Sequence, residues 1–273
     1  MAGLAVSKAH AYGNDFLFAP SDQVSGDIPA LARGLCHRHH GVGADGLIVY
    51  ELRAGGATMK LWNADGSPSE LSGNGVRCLA ALIARLGRVP GGTIAGRTIS
   101  IETTAGLKVL ELLAHEGERY TFRAAMGPPA DIRRVDIRVL GEVLPATVLS
   151  VGNPQCVVLG ALPDEERFKS LGPALSTHPM FPAGTNVAFV HVERPDRIQI
   201  LIWERGVGPT TSSGTGASAS AVAAAAHGGA GRAIEVVAPG GSQRVEWLDD
   251  GIYLTGWAEV ILEGQWVGHA NTA

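Results

Sequence analysis

Three features of the sequence specify a mixed α/β (α+β) protein made of two pseudo-symmetric lobes. The first is an internal repeat: WNADGSPSELSGNG begins at Trp62 and WERGVGPTTSSGTG at Trp203, a gapless offset of 203 − 62 = 141 residues. At that offset Ser72 falls on Ser213, Gly73 on Gly214, Gly75 on Gly216, and GADGLIV at Gly43–Val49 on GTNVAFV at Gly184–Val190. Second, each copy runs into a small-residue stretch, VRCLAALIARLG from Val76 and ASASAVAAAAHG from Ala217. Both have helical composition and stop at a glycine, Gly87 or Gly228, as helices often do. Third, short apolar runs bounded by glycine and asparagine turns surround both helices and read as strands. Several elements aligned in one register make the chain a duplication of one α/β unit.

Taken in order, Leu4–Ala9 and Phe16–Phe18 are strands joined by a Gly13-Asn14-Asp15 turn. A helix is expected over Ile28–His39, with Pro29 in its first turn and apolar residues at Ile28, Leu31 and Leu35. It ends in His37-Arg38-His39-His40. Three neighbouring imidazoles invite a metal, but no acidic or cysteine partner lies nearby at suitable spacing, so the cluster reads as a basic helix end and no metal is expected. Leu47–Leu52 and Thr58–Trp62 form a hairpin, then the first glycine turn and helix, then a hairpin of Arg97–Thr103 with Leu107–Leu113. The lobe boundary belongs near Glu116–Arg119, giving an N-terminal lobe over 1–117, joined by a C-terminal strand at about 262–273, and a second lobe over 118–261. Strands at Arg119–Arg123, Ile137–Val139 and Thr147–Ser150 open the second lobe, and VGNPQCVVLG follows at Val151–Gly160. A helix over Leu162–Leu175 and strands at Val187–Val192 and Ile198–Trp203 precede the second glycine turn. After the second central helix, Ala233–Val237 pairs with Arg244–Trp247, and Ile252–Leu254 with Glu259–Leu262 closes the chain.

Composition narrows the partners. A net charge of −4 with both signs scattered argues against nucleic acid and against an anionic membrane. Apolar residues make up 45% of the chain, yet runs such as Ala221–Ala226 are far short of a membrane span. The first residues carry no charged-then-apolar leader, and Cys36, Cys78 and Cys156 show no paired spacing, so a cytoplasmic protein is expected.

The repeated element has a chemistry of its own. A helix N-terminus exposes N–H groups and partial positive charge, and so attracts carboxylates. Gly73 and Gly214, lacking Cβ, permit close approach of a ligand to the backbone. Two such termini, each capped by a serine, are suited to one carboxylate approached from two sides, with Ser72 and Ser213 beside it. Arg205 can bind a second carboxylate through its planar fork. Asparagine both donates and accepts, so it can read an ammonium and a carboxylate together.

The segments AYGNDF, HHGVGADGLI, WNADGSPSELSGNGVRC, VGNPQC, GTNVAF, WERGVGPT, SGTGAS and APGG together resemble the diaminopimelate epimerase family, over nearly the whole chain. The resemblance implies two lobes, each a β-sheet or barrel wrapped around a central helix, with a cleft between them. It implies a cofactor-independent enzyme that interconverts LL- and meso-diaminopimelate by removing and returning the Cα proton. The partner implied is a small amino diacid, and a homodimer is possible within the family. Residue by residue, it marks Asn14, Asn63, Asn153, Asn186, Glu204 and Arg205 as substrate-contacting side chains. It further marks Gly73-Asn74 and Gly214-Thr215 as the backbone pairs for the α-carboxylate, and Ser72, Ser213 and Glu204 as the catalytic positions.

At those catalytic positions the sequence departs from the family. The family's proton-transfer pair is two cysteines, and here both positions are serine. A histidine implied between Pro154 and Cys156 has become Gln155, while the acidic helper Glu204 remains. A thiol titrates near ~8.5 and a hydroxyl near ~15.7, so ionising serine costs about 10 kcal/mol more. A helix N-terminus returns at most ~2 kcal/mol. A serine pair therefore epimerises slowly unless another group supplies the base. Two further readings stay open: an amino-diacid-binding protein without turnover, and a hydroxyproline-type epimerase or dehydratase of the wider superfamily.

Overall fold

In a computed structural model, residues 3–69, 72–87 and 97–268 are described. The chain divides into two compact units, Met1–Ala124 with Trp257–Ala273, and Ala125–Gly256.

In the first unit the elements are β1 (Leu4–Ala11), β2 (Asn14–Pro20), α1 (Ile28–Cys36), β3 (Gly46–Arg53), β4 (Gly56–Asn63), β5 (Pro68–Ser69), α2 (Gly73–Arg85), β6 (Arg97–Thr103), β7 (Gly106–Glu116) and β8 (Arg119–Gly127). The second adds β9 (Ala130–Val139), β10 (Glu142–Ser150), β11 (Pro154–Leu159), α3 (Glu165–Ser176), β12 (Asn186–Arg194), β13 (Arg197–Glu204), β14 (Gly208–Thr210), α4 (Gly214–His227), β15 (Ala233–Ala238) and β16 (Gly241–Leu248). The last strand, β17 (Gly251–Trp266), serves both.

The strand order in the first unit is β8-β7-β6-β4-β3-β2-β1-β17, and β17 pairs back on β8 to close a barrel. The parallel pairs are β2/β3 and β4/β6, bridged by α1 and α2; parallel neighbours require such a crossover. The second unit repeats the scheme as β9-β10-β11-β12-β13-β15-β16-β17, with α3 and α4 bridging the parallel pairs β11/β12 and β13/β15. The repeat seen in the sequence is carried into register: β4 and β13 occupy equivalent positions, as do α2 and α4.

The central helices are small-residue because they are enclosed. Asn74 to Ile83 of α2 are all buried, within a core that includes Phe16, Phe18, Ile48, Leu61, Ile99 and Phe122. In α4 every residue from Gly214 to Ala224 is buried except Thr215. A helix apolar on all sides belongs in a core, and alanine fits where strands surround it on every side. The outer helices are amphipathic instead. Leu31 and Leu35 of α1 pack on Leu17 and Leu47, and Phe168 and Leu171 of α3 on Phe189 and Val187.

Several boundaries differ from the sequence reading, each for a local reason. α1 stops at Cys36 rather than His39, because His37 turns extended and its Nδ1 accepts the N–H groups of His39 and His40. α3 starts at Glu165 rather than Leu162, since the Asp164 carboxylate caps Arg167. Asn14 and Asp15 belong to β2, and the turn before them is Tyr12-Gly13, both at positive φ. The closing strands are one continuous β17, with residues 269–273 of the expected terminal segment outside the described residues.

Candidate functional site

Each unit caps the N-terminus of its central helix with a serine, and the two termini are constructed alike. Ser72 caps α2, its Oγ accepting the Gly75 N–H at 3.1 Å. Ser213 caps α4, its Oγ accepting the Gly216 N–H at 3.3 Å. A Cβ on Gly75 would lie 3.0 Å from Ile48 and 3.3 Å from the Ser72 Cβ; one on Gly216 would lie 3.2 Å from the Ser213 Cβ. A side chain at the second glycine of each pair would crowd the capping serine. Gly73 and Asn74, like Gly214 and Thr215, hold the first two helical positions, whose N–H groups have no carbonyl within the helix to bond. The first glycines differ: a Cβ at Gly73 meets nothing within 4 Å, whereas one at Gly214 meets Leu254 at 3.1 Å. Open space lies where a Gly73 Cβ would point, whereas Gly214 is packed against Leu254.

In the first unit the structure brings Asn14 and Asn74 together, the Asn74 Nδ2 donating to Asn14 Oδ1 at 3.3 Å. Behind them lies a charged cluster. Asn14 Nδ2 donates to Asp45 at 2.7 Å, Arg38 bridges Asp45 and Asp15 at 2.8 and 3.0 Å, and Lys8 meets Asp15 at 2.8 Å. Burial pushes the Asp15 carboxyl up, but the bonds from Arg38 and Lys8 outweigh it and hold the group below its ordinary range. Asn63 stands apart at the exposed end of β4, where its Nδ2 donates to Ser67 Oγ at 2.9 Å.

In the second unit Glu204 stands at the end of β13. Burial raises its carboxyl above the ordinary glutamate range, and the nearby Ser213 side chain offsets only part of that rise. Asn153 reaches the Thr215 hydroxyl at 3.5 Å while its own Oδ1 accepts from Gln155 at 2.7 Å. Gln155 is 1% exposed, so it acts as a buried brace for Asn153. Asn186 holds the Arg205 backbone N–H at 3.0 Å, and the Arg205 guanidinium, exposed, donates to the Ala183 carbonyl at 2.8 Å.

None of the three cysteines stands in for a catalytic thiol. All are buried, and burial pushes Cys36 and Cys156 to about 12 and raises Cys78 as well. Sequence reasoning missed Asp45 and Arg77, both bound to the asparagines beside the start of α2. The available signal was a lone arginine inside the apolar run VRCLAALIA.

The same fold recurs in solved structures. A solved hydroxyproline epimerase from Agrobacterium vitis superposes on 97% of the chain, covering 91% of its own, with a TM-score of 0.69 at 16% identity; that likeness carries the fold alone. The sequence is more specific. The profile of diaminopimelate epimerase matches residues 6–131 and 147–261. The diaminopimelate epimerase of Desulforudis audaxviator is 42% identical, with 96% of this chain and 98% of the relative covered. That of Pelotomaculum thermopropionicum is 38% identical, with 95% and 98% covered. The chain belongs to the diaminopimelate epimerase family.

Proposed function

We propose that the chain epimerises diaminopimelate at one α-carbon without a cofactor, using a carboxylate where the family resemblance implies a thiolate. The observation that carries the proposal is the placement of Glu204, at the end of β13, near enough to Ser213 at the capped start of α4 for that side chain to act on its carboxyl. A serine hydroxyl alone is about seven pKa units too weak an acid to serve as the base. Coupled to Glu204 it need never become a free alkoxide. As the Cα–H bond breaks, its proton passes to Ser213 Oγ while the hydroxyl proton of Ser213 passes to the Glu204 carboxylate. The electron pair left on Cα delocalises into the α-carboxylate, whose growing negative charge the N–H groups at a helix start stabilise. Burial makes Glu204 a stronger base than an ordinary glutamate, which brings it closer to the task. Return of a proton to the planar carbon falls to Ser72. Its Oγ accepts from Gly75, leaving its own O–H to donate. The oxyanion takes a proton from solvent as the Glu204 carboxyl gives one up to solvent, which restores both groups. Arg205 and the asparagines supply contacts for the ammonium and remote carboxylate groups.

A second reading, diacid binding without turnover, is favoured by one observation: every cysteine is buried and held protonated. Incubation with LL- and meso-diaminopimelate in deuterium oxide separates the two. Incorporation of deuterium at Cα, faster than inversion because Glu204 assists Ser213, is the expected result. Tight binding with no incorporation into either isomer establishes the second reading instead.

A further inference from the structure

Arg77 lies inside the first barrel, in the middle of α2, 2% exposed and with its Nε lacking a partner. A charge so placed is costly and calls for a reason. Its Nη1 donates to Asn74 Oδ1 at 3.0 Å. From there the bonds run in one direction: Asn74 Nδ2 to Asn14 Oδ1 at 3.3 Å, and Asn14 Nδ2 to Asp45 Oδ2 at 2.7 Å. An asparagine amide can be turned over with little steric change, exchanging donor for acceptor. Here neither can turn. Guanidinium is donor-only and carboxylate acceptor-only, so the chain is fixed in the same sense from both ends.

We propose that Arg77 is a positioning residue for the start of α2: together with Asp45 it dictates the direction in which the Asn74 and Asn14 amides face. The consequence is specificity. A reversed Asn14 would offer a carbonyl where it now offers an N–H, exchanging a carboxylate for an ammonium as its preferred neighbour. The proposal rests on the reading that these asparagines contact the diacid, and its test is arranged to fail separately from that reading.

The test is a double-mutant cycle on binding of meso-diaminopimelate, read by calorimetry with thermal melting to confirm folding. Asp45→Ala deletes the acceptor-only end, and Arg77→Gln replaces the donor-only end by an amide that can both donate and accept. An asparagine at position 45 would still be held as an acceptor by the Asp15 N–H and Arg38. Either alone leaves the other end to fix the chain, and weakens binding by at most about 3-fold. Together they release it, and binding falls by about 50-fold, beyond the roughly 9-fold product of independent sites. Arg77→Lys combined with Asp45→Ala keeps a donor-only end and stays near Asp45→Ala alone. Multiplying single effects, or a lysine double as weak as the glutamine double, overturns the proposal. In the ligand-free wild-type protein, nuclear Overhauser contacts place the Asn74 Nδ2 protons beside Asn14 and not beside the Arg77 guanidinium. Contacts on both sides overturn it even if the double variant fails to fold. Locked amides in a protein that binds no diacid sink the functional reading and leave this inference standing.

Discussion

The serine pair concentrates the chemistry in two oxygen atoms, and exchanging them for sulfur tests how complete the rest of the machinery is. Ser72→Cys with Ser213→Cys lowers the ionisation cost by about 10 kcal/mol before any help from the surroundings. Since each 1.36 kcal/mol is about tenfold in rate, recovering even a third of it raises kcat at least about 100-fold in a solvent-deuterium assay. An unchanged rate would mean that proton transfer is limited elsewhere. Glu204 carries its own signature. Its folded pKa is raised, chiefly by burial, so the stability it contributes is complete below its unfolded pKa and is lost as pH rises through the folded one. At pH 7 the protein therefore bears the burden of a buried carboxylate. Glu204→Gln removes both that burden and the base, so activity is lost while the melting temperature at pH 7 is unchanged or higher; the gain vanishes below about pH 4. In the unaltered protein, kcat/KM rises with pH over a limb above the usual glutamate value of ~4.3. A limb at or below that value would remove Glu204 from the role of base.

Secondary-structure elements record where local sequence ruled and where packing did. The central helices were legible because the repeat marked the same serine–glycine turn twice, and Ser72 and Ser213 both cap as their type favours. Arg77 and Asp45 were not legible, since their meaning lies in a hydrogen-bond path that joins residues far apart in sequence. β17 read as two strands because Thr255-Gly256 interrupts its apolar pattern, yet its pairing with β16 and then β1 holds it continuous. Gly172 in α3 is a packing requirement that no pattern announces: a Cβ there would sit 2.6 Å from the Trp203 ring. Gly172→Ala, which would ordinarily strengthen a helix, is expected to destabilise by about 1–3 kcal/mol through overpacking against β13. Denaturant titration showing a gain would mean that Trp203 moves aside at no cost.

Each unit follows one plan, and β17 is the thread through both. Its first part pairs with β16, and the remainder, from Trp257, pairs with β1 and belongs to the first unit. Truncation after Gly256 removes the strand that closes the first barrel, exposing the β1 and β8 edges to solvent and to aggregation. Hydrogen exchange should then show protection lost across β1 and β8 and retained in β12 and β13; uniform retention would show that the barrel holds without its seam. The same feature fixes an order of events during synthesis. Domains usually fold as the chain emerges, the N-terminal one first. Here β1 to β8 are made before the second unit yet wait for the part of β17 made after it, and the second unit can be complete while the first still lacks a stave. On stalled nascent chains in which Gly256 is followed by a flexible linker long enough to clear the ribosome exit tunnel, protease should spare the later-made unit and cut the earlier one, reversing the usual order in which the units of a protein become resistant.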